Sequence, residues 1–248
     1  MKENWLGFKF ALSYFSIIPV KFQKDTDLSK ESILANFLFY LPLVGLILGA
    51  MSIGVYLLLR DIPFVSLVIA SLSYPMLYGF VHTEAIIDVV DAIYAKHSFK
   101  DAYTVIKEPT IGALGALWGV SLLLIKTSLF GYLLYIDEYM IILSVLLASR
   151  LSLQVLFVSK EFKSSFLNTL KDSFSTSYLI KSFIVFGFVG TLLAGWWFIA
   201  ILISSLIISY VVATITAKKL GFYNGDVVGF SLEICEIVVM LGYIVSVI

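Results

Sequence analysis

Six carboxylates in this chain sit where hydrocarbon would be expected, and their spacing suggests shared work. Glu84, Asp88 and Asp91 follow one another at steps of four and three residues, with His82 just before them. On a helix that spacing puts the three acids on one face. Asp226, Glu233 and Glu236 form a second set near the carboxyl end of the chain, again on one helical face and inside an apolar stretch. At about 1.5 Å per residue, Glu236 lies roughly 15 Å beyond Asp226. An ionised carboxylate at that depth in a bilayer costs on the order of 3 kcal/mol unless it meets a cation or a polar cavity. Hard oxygen ligands with one imidazole nearby favour Mg²⁺, or Mn²⁺, over a metal that seeks thiolate.

Each feature also has a plainer reading. The first set could be a solvated acidic face paired with Lys96 and Lys100, and Glu236 could be neutralised by Arg150, itself inside an apolar span. A third patch, from Lys107 through Thr110 and Gly112 to Gly115, opens an apolar segment. A lysine, a hydroxyl and free amides at a helix amino terminus can hold an anion. Capping by Thr110 and close packing at the glycines account for the same residues. The glycines at 221, 225 and 229 could admit a phosphate to the backbone or let helices approach.

The elements that must position these groups are read from composition. Of 248 residues, 60% are hydrophobic and 14% charged, more apolar surface than one water-soluble core can hide. The expected fold is all-α, a single polytopic integral membrane domain over residues 1–248. Apolar runs at 33–59, 64–81, 111–135, 139–158, 178–194, 197–217 and 227–248 give about seven transmembrane helices. The stretch 1–19 carries Lys9 in its middle and no small-residue cleavage site, so it reads as a retained helix, spanning or interfacial. Zero net charge gives no argument for nucleic acid, and the lone Cys235 excludes an internal disulfide.

Basic residues concentrate around 21–30, 96–107, 160–171 and 218–219. Seven alternating spans place all four segments on one side, which the positive-inside rule makes cytoplasmic. The carboxyl terminus then lies outside, and both acidic sets face the cytoplasm from the cell (inner) membrane.

Taken in order, Pro42 to Gly45, Gly79 to Asp91, Ile106 to Gly115, Arg150, and Asn224 through Glu233 and Glu236 resemble the adenosylcobinamide-GDP ribazoletransferase, or cobalamin synthase, family over nearly the whole chain. Its pattern of a histidine, an acid two positions on, and aspartates six and nine positions on is matched by His82, Glu84, Asp88 and Asp91. The later element is matched at Lys107, Glu108, Ile111 and Gly112, and the last at Gly225, Asp226, Glu233 and Glu236. Glu84 stands where the family usually has aspartate, and Thr110 where it has arginine.

The resemblance implies transfer of a corrinoid phosphate from adenosylcobinamide-GDP to a ribose hydroxyl of α-ribazole, or of its 5′-phosphate, with release of GMP. It implies His82, Asp88 and Asp91 as catalytic, with His82 the favoured base. Lys107, Thr110, Gly112, Arg150 and Gly225 would contact substrate. Glu84, Asp88, Asp91, Asp226, Glu233 and Glu236 would supply metal ligands. Two alternatives stand beside it: a CDP-alcohol phosphotransferase, whose glycine and alanine-arginine signature is missing between the acids, and a small cation-coupled transporter. Association with further copies of the chain is left open.

Overall fold

In the computed structural model, which describes residues 2–97 and 101–248, the described residues form twelve helices and include no strand. They are α1 (Lys2–Tyr14), α2 (Glu31–Phe39), α3 (Leu41–Leu59), α4 (Pro63–Leu77), α5 (Val81–His97), α6 (Ala102–Lys107), α7 (Ala113–Tyr135), α8 (Tyr139–Ser159), α9 (Ser165–Ser173), α10 (Thr176–Ala194), α11 (Trp197–Leu220) and α12 (Gly225–Val247). Six of them, α3, α7, α8, α10, α11 and α12, are long and apolar enough to cross a membrane. The all-α, polytopic architecture agrees with the sequence. At 13 residues α1 is too short to span, and it packs along α2 instead.

Two expected spans are broken. The run at 33–59 divides at Tyr40 into α2 and α3, with Pro42 in the first turn of α3. Proline has no N–H, so the carbonyl of Leu38, four residues earlier, loses its helical partner. Gln154 of α8 supplies one, its Nε2 donating to Leu38 O at 2.8 Å. The run at 64–81 does not cross as one helix either. Its helix α4 ends at Leu77, and α5 leaves at a bend of 75°. Gly79 and Phe80 both have positive φ, 65° and 57°, a conformation that stops a right-handed helix. The freed carbonyl of Leu77 accepts from the amide of Ile17 at 2.8 Å, so the chain after α1 braces the bend. Taken together, α4 and α5 are long and apolar enough for a seventh crossing, bent at this break. Helix α5 packs within the bundle against α7 and α12.

The middle of the bundle is α8, whose side chains from Ser144 to Gln154 are all buried. It packs against α3, α10, α11 and α12, with small hydroxyls allowing close approach. The hydroxyls of Ser152 and Ser209, for example, are 2.7 Å apart between α8 and α11. Three of the four basic segments, 96–107, 160–171 and 218–219, meet at one end. There the Lys163 amide donates to Tyr223 O at 2.7 Å and the rings of Tyr103 and Phe222 lie edge to face. Lys96, once a possible partner for the acids of α5, instead donates to the carbonyls of Lys219 and Leu220, where a cation complements the carboxyl end of α11. Lys100 lies outside the described residues.

Candidate active site

The bend at Gly79 and Phe80 swings α5 so that its acids face the start of α12. Asn224 caps that helix, its side-chain oxygen accepting from Val227 N at 3.0 Å while its Nδ2 donates to Asp226 Oδ2 at 2.6 Å. One turn further, α5 presses on Gly229. A Cβ there would lie 2.8 Å from the Cβ of Ala85 and 3.4 Å from His82 Nδ1. This approach sets Asp88 within electrostatic reach of Asp226, Glu84 and Asp91. Asp88 and Asp226 are half-buried and Glu84 is exposed. Acids about 140 residues apart in sequence thus converge at the end of the bundle that carries the basic segments.

Asp91 has a different neighbourhood. Its carboxylate accepts from Gly112 N at 2.6 Å and Gly115 N at 2.9 Å, closing the amino end of α7. A Cβ at Gly112 or Gly115 would fall 2.4 or 2.5 Å from that carboxylate, which explains both glycines. The amides expected to cradle a substrate anion are thus already engaged by Asp91, and the cap of α7 is not Thr110. Thr110 is exposed beside this turn, and Lys107 is exposed with its Nζ 4.2 Å from the centre of the Tyr103 ring.

Glu233 and Glu236 lie deeper and meet cations. Lys126 Nζ stands 2.8 Å from Glu233 Oε1 and 2.6 Å from Glu236 Oε2, and Arg150 Nη1 stands 2.7 Å from Glu236 Oε1. Tyr78 donates to Glu233 at 2.9 Å, and Tyr74 and Ser149 donate to Glu236 at 3.1 and 3.0 Å. Arg150 also donates to Tyr74 OH at 2.7 Å and to Leu146 O at 3.0 Å. Two positive and two negative groups, all almost fully buried, compensate one another. Sequence reasoning named the Arg150–Glu236 pair as one alternative but gave Lys126 no role. The available signal was a lysine in the middle of an apolar span, which needs a counter-charge.

The six carboxylates therefore occupy three settings, and no group of three His, Cys, Asp or Glu side chains among the described residues is placed to hold a metal by itself. Glu84, Asp88 and Asp226 are the acids within electrostatic reach of one another that no cation of the protein neutralises among the described residues.

Next to them is a cavity of about 180 Å³. Phe15, Phe37, Phe157 and Phe166 line it, with Asp226 and Gly225 from the start of α12 and Arg150 from α8. His82 forms part of the same wall, only 7% exposed. Its ring packs between those of Phe15 and Tyr78, at 6.0 and 5.1 Å, and takes no hydrogen bond among the described residues. The phenylalanine walls come from α2, α8, α9 and the segment just after α1, and sequence periodicity did not reveal them because each ring belongs to a different element.

The sequence profile of the cobalamin-5-phosphate synthase family matches residues 7–244, taking in every residue of this site. The chain belongs to that family. Relatives named adenosylcobinamide-GDP ribazoletransferase include those of Clostridium perfringens, 25% identical over 98% of this chain and 100% of theirs, and Brevibacillus brevis, 26% identical over 95% and 96%. That of Acinetobacter baumannii is 28% identical over 96% and 97%. No solved structure matches the chain. Family membership thus covers the broken span, the acids on both sides of it and the cavity.

Proposed function

We propose that this chain is an adenosylcobinamide-GDP ribazoletransferase of the inner membrane, working from the cytoplasmic side in cobalamin biosynthesis. The observation that carries the reading is the convergence of Asp88, Asp226 and Glu84 beside a cavity whose wall presents His82. The positive-inside rule supports the orientation, because three of the four basic segments gather at this end.

In the transfer a ribose hydroxyl of α-ribazole, or of its 5′-phosphate, attacks the corrinoid-linked phosphorus. An oxygen–phosphorus bond forms, the bond to the bridging oxygen breaks, and GMP leaves. His82 is the acceptor for the hydroxyl proton, since its ring lines the cavity and takes no hydrogen bond among the described residues. Lys107 and the Thr110 hydroxyl, both exposed at this end, hold phosphate oxygens. Arg150 shapes the cavity wall, its N–H groups being used by Glu236, Tyr74 and Leu146. Asp91 fixes the amino end of α7 on α5.

The donor set suits Mg²⁺ (or Mn²⁺), which needs only one or two carboxylates when substrate phosphates and water complete its shell. Glu84, Asp88 and Asp226 would hold it, and when bound it neutralises charge on the diphosphate. The test is an assay on detergent-solubilised protein with adenosylcobinamide-GDP and each acceptor form, following GMP and corrinoid product together, with and without EDTA. Stoichiometric products that vanish with EDTA support the reading. Folded protein that yields neither product with either acceptor contradicts it.

A further inference from the structure

The aromatic cavity is more specific than the transfer chemistry requires. At about 180 Å³ it is too small for a corrin ring or a whole nucleotide, since sites for drug-sized ligands run from about 300 Å³ upward. Its size suits one flat bicyclic ring system, comparable with an indole. Four phenylalanines supply faces and edges for such a ring to pack against. His82, more than nine-tenths buried and without a hydrogen-bond partner among the described residues, faces it. A polar group of a ligand seated in the cavity can therefore bond to this ring. Tyr14, which senses the charge of Asp226, and Asp226 itself mark the polar side of the lining.

We propose that this cavity is the base subsite of the acceptor: the benzimidazole ring of the ribazole nucleoside enters it, and the ribose stays on the polar side between His82 and Asp226. The inference rests on the transferase reading and adds to it the location and selectivity of acceptor binding. It accounts for the free imidazole, which meets the ribose hydroxyl only once the base is seated. It also sets a preference among bases. Away from His82, Asp226, Tyr14 and the already committed Arg150, the walls are hydrocarbon and aromatic. The exocyclic amine of an adenine in the same position would be buried without a partner, a loss that discriminates strongly.

The test uses the full-length protein in detergent, with initial rates of GMP release measured against each substrate in turn. Leu167, half-buried on α9, and Leu153 on α8 both line the cavity, so Leu167→Trp and Leu153→Phe fill it from different helices. The expected result is a rise of about tenfold or more in KM for α-ribazole with KM for adenosylcobinamide-GDP unchanged. Free 5,6-dimethylbenzimidazole should compete with the acceptor and not with the corrinoid substrate, and the adenine riboside should be the poorer acceptor in the parent. If Leu167→Trp fails to fold, Leu153→Phe and the competition experiment with the parent decide. An active parent whose acceptor KM is unaltered by either filling variant, or whose corrinoid KM alone rises, overturns the subsite and leaves the transferase reading standing. A folded parent that releases no GMP overturns both.

Discussion

The carboxylate of Asp91 lies 2.6 Å from the amide of Gly112, so an acid on α5 completes the amino terminus of α7. Helix starts leave amides unsatisfied, and a carboxylate there gains both hydrogen bonds and the favourable end of the helix dipole.

Gly112→Ala should disrupt this junction, because the new Cβ would fall 2.4 Å from Asp91 Oδ1. Asp91→Ala removes the same contact from the other side. Each is expected to cost about 1 kcal/mol, the usual worth of a lost cap, read as a lower thermal midpoint in detergent. The double variant should lose little more than either single one. Fully additive losses would show that the two residues act separately.

The buried charges should be the most sensitive part of the bundle. Glu236→Ala leaves Lys126 and Arg150 with one acid between them, and breaking a buried pair costs about 3–5 kcal/mol. Glu84→Ala, at an exposed position, should shift stability by no more than about 0.5 kcal/mol. Denaturation of both variants without divalent cation checks the contrast, and equal shifts would contradict it.

Much of this architecture was legible before any coordinates. Long apolar runs reported the crossings because hydrocarbon thickness fixes helix length, and the acids at 84, 88 and 226 stood out because charge is expensive there. What stayed hidden depended on single residues or on partners distant in sequence. The break at Tyr40 follows from Pro42 but is stabilised by Gln154, more than a hundred residues later. The bend after α4 depends on two consecutive positive φ angles, of which only Gly79 gives a sequence sign. Helical spacing placed Glu233 with Asp226 correctly on one face, yet spacing carries no knowledge of Lys126 across the bundle.

His82→Gln keeps a polar side chain but removes the imidazole. The expected loss is about 10²–10⁴ in kcat with KM for adenosylcobinamide-GDP retained. Parent-like kcat would remove His82 as the proton acceptor.

Thr110 is exposed beside the start of α7, so an arginine fits there without displacing neighbours. Thr110→Arg offers a planar, bidentate donor to a phosphate that a hydroxyl cannot match. KM for adenosylcobinamide-GDP should fall, while KM for α-ribazole stays as it was. A rise in the corrinoid KM would place the diphosphate elsewhere.

The most direct check on the whole account is GMP release from adenosylcobinamide-GDP and α-ribazole by the parent and by Asp88→Asn, assayed side by side across a Mg²⁺ titration. The account predicts metal-dependent turnover by the parent. It also predicts, in a variant that still folds, a rate at least about a hundredfold lower, partly recovered at high Mg²⁺. Equal rates for the two proteins at every Mg²⁺ concentration would contradict it.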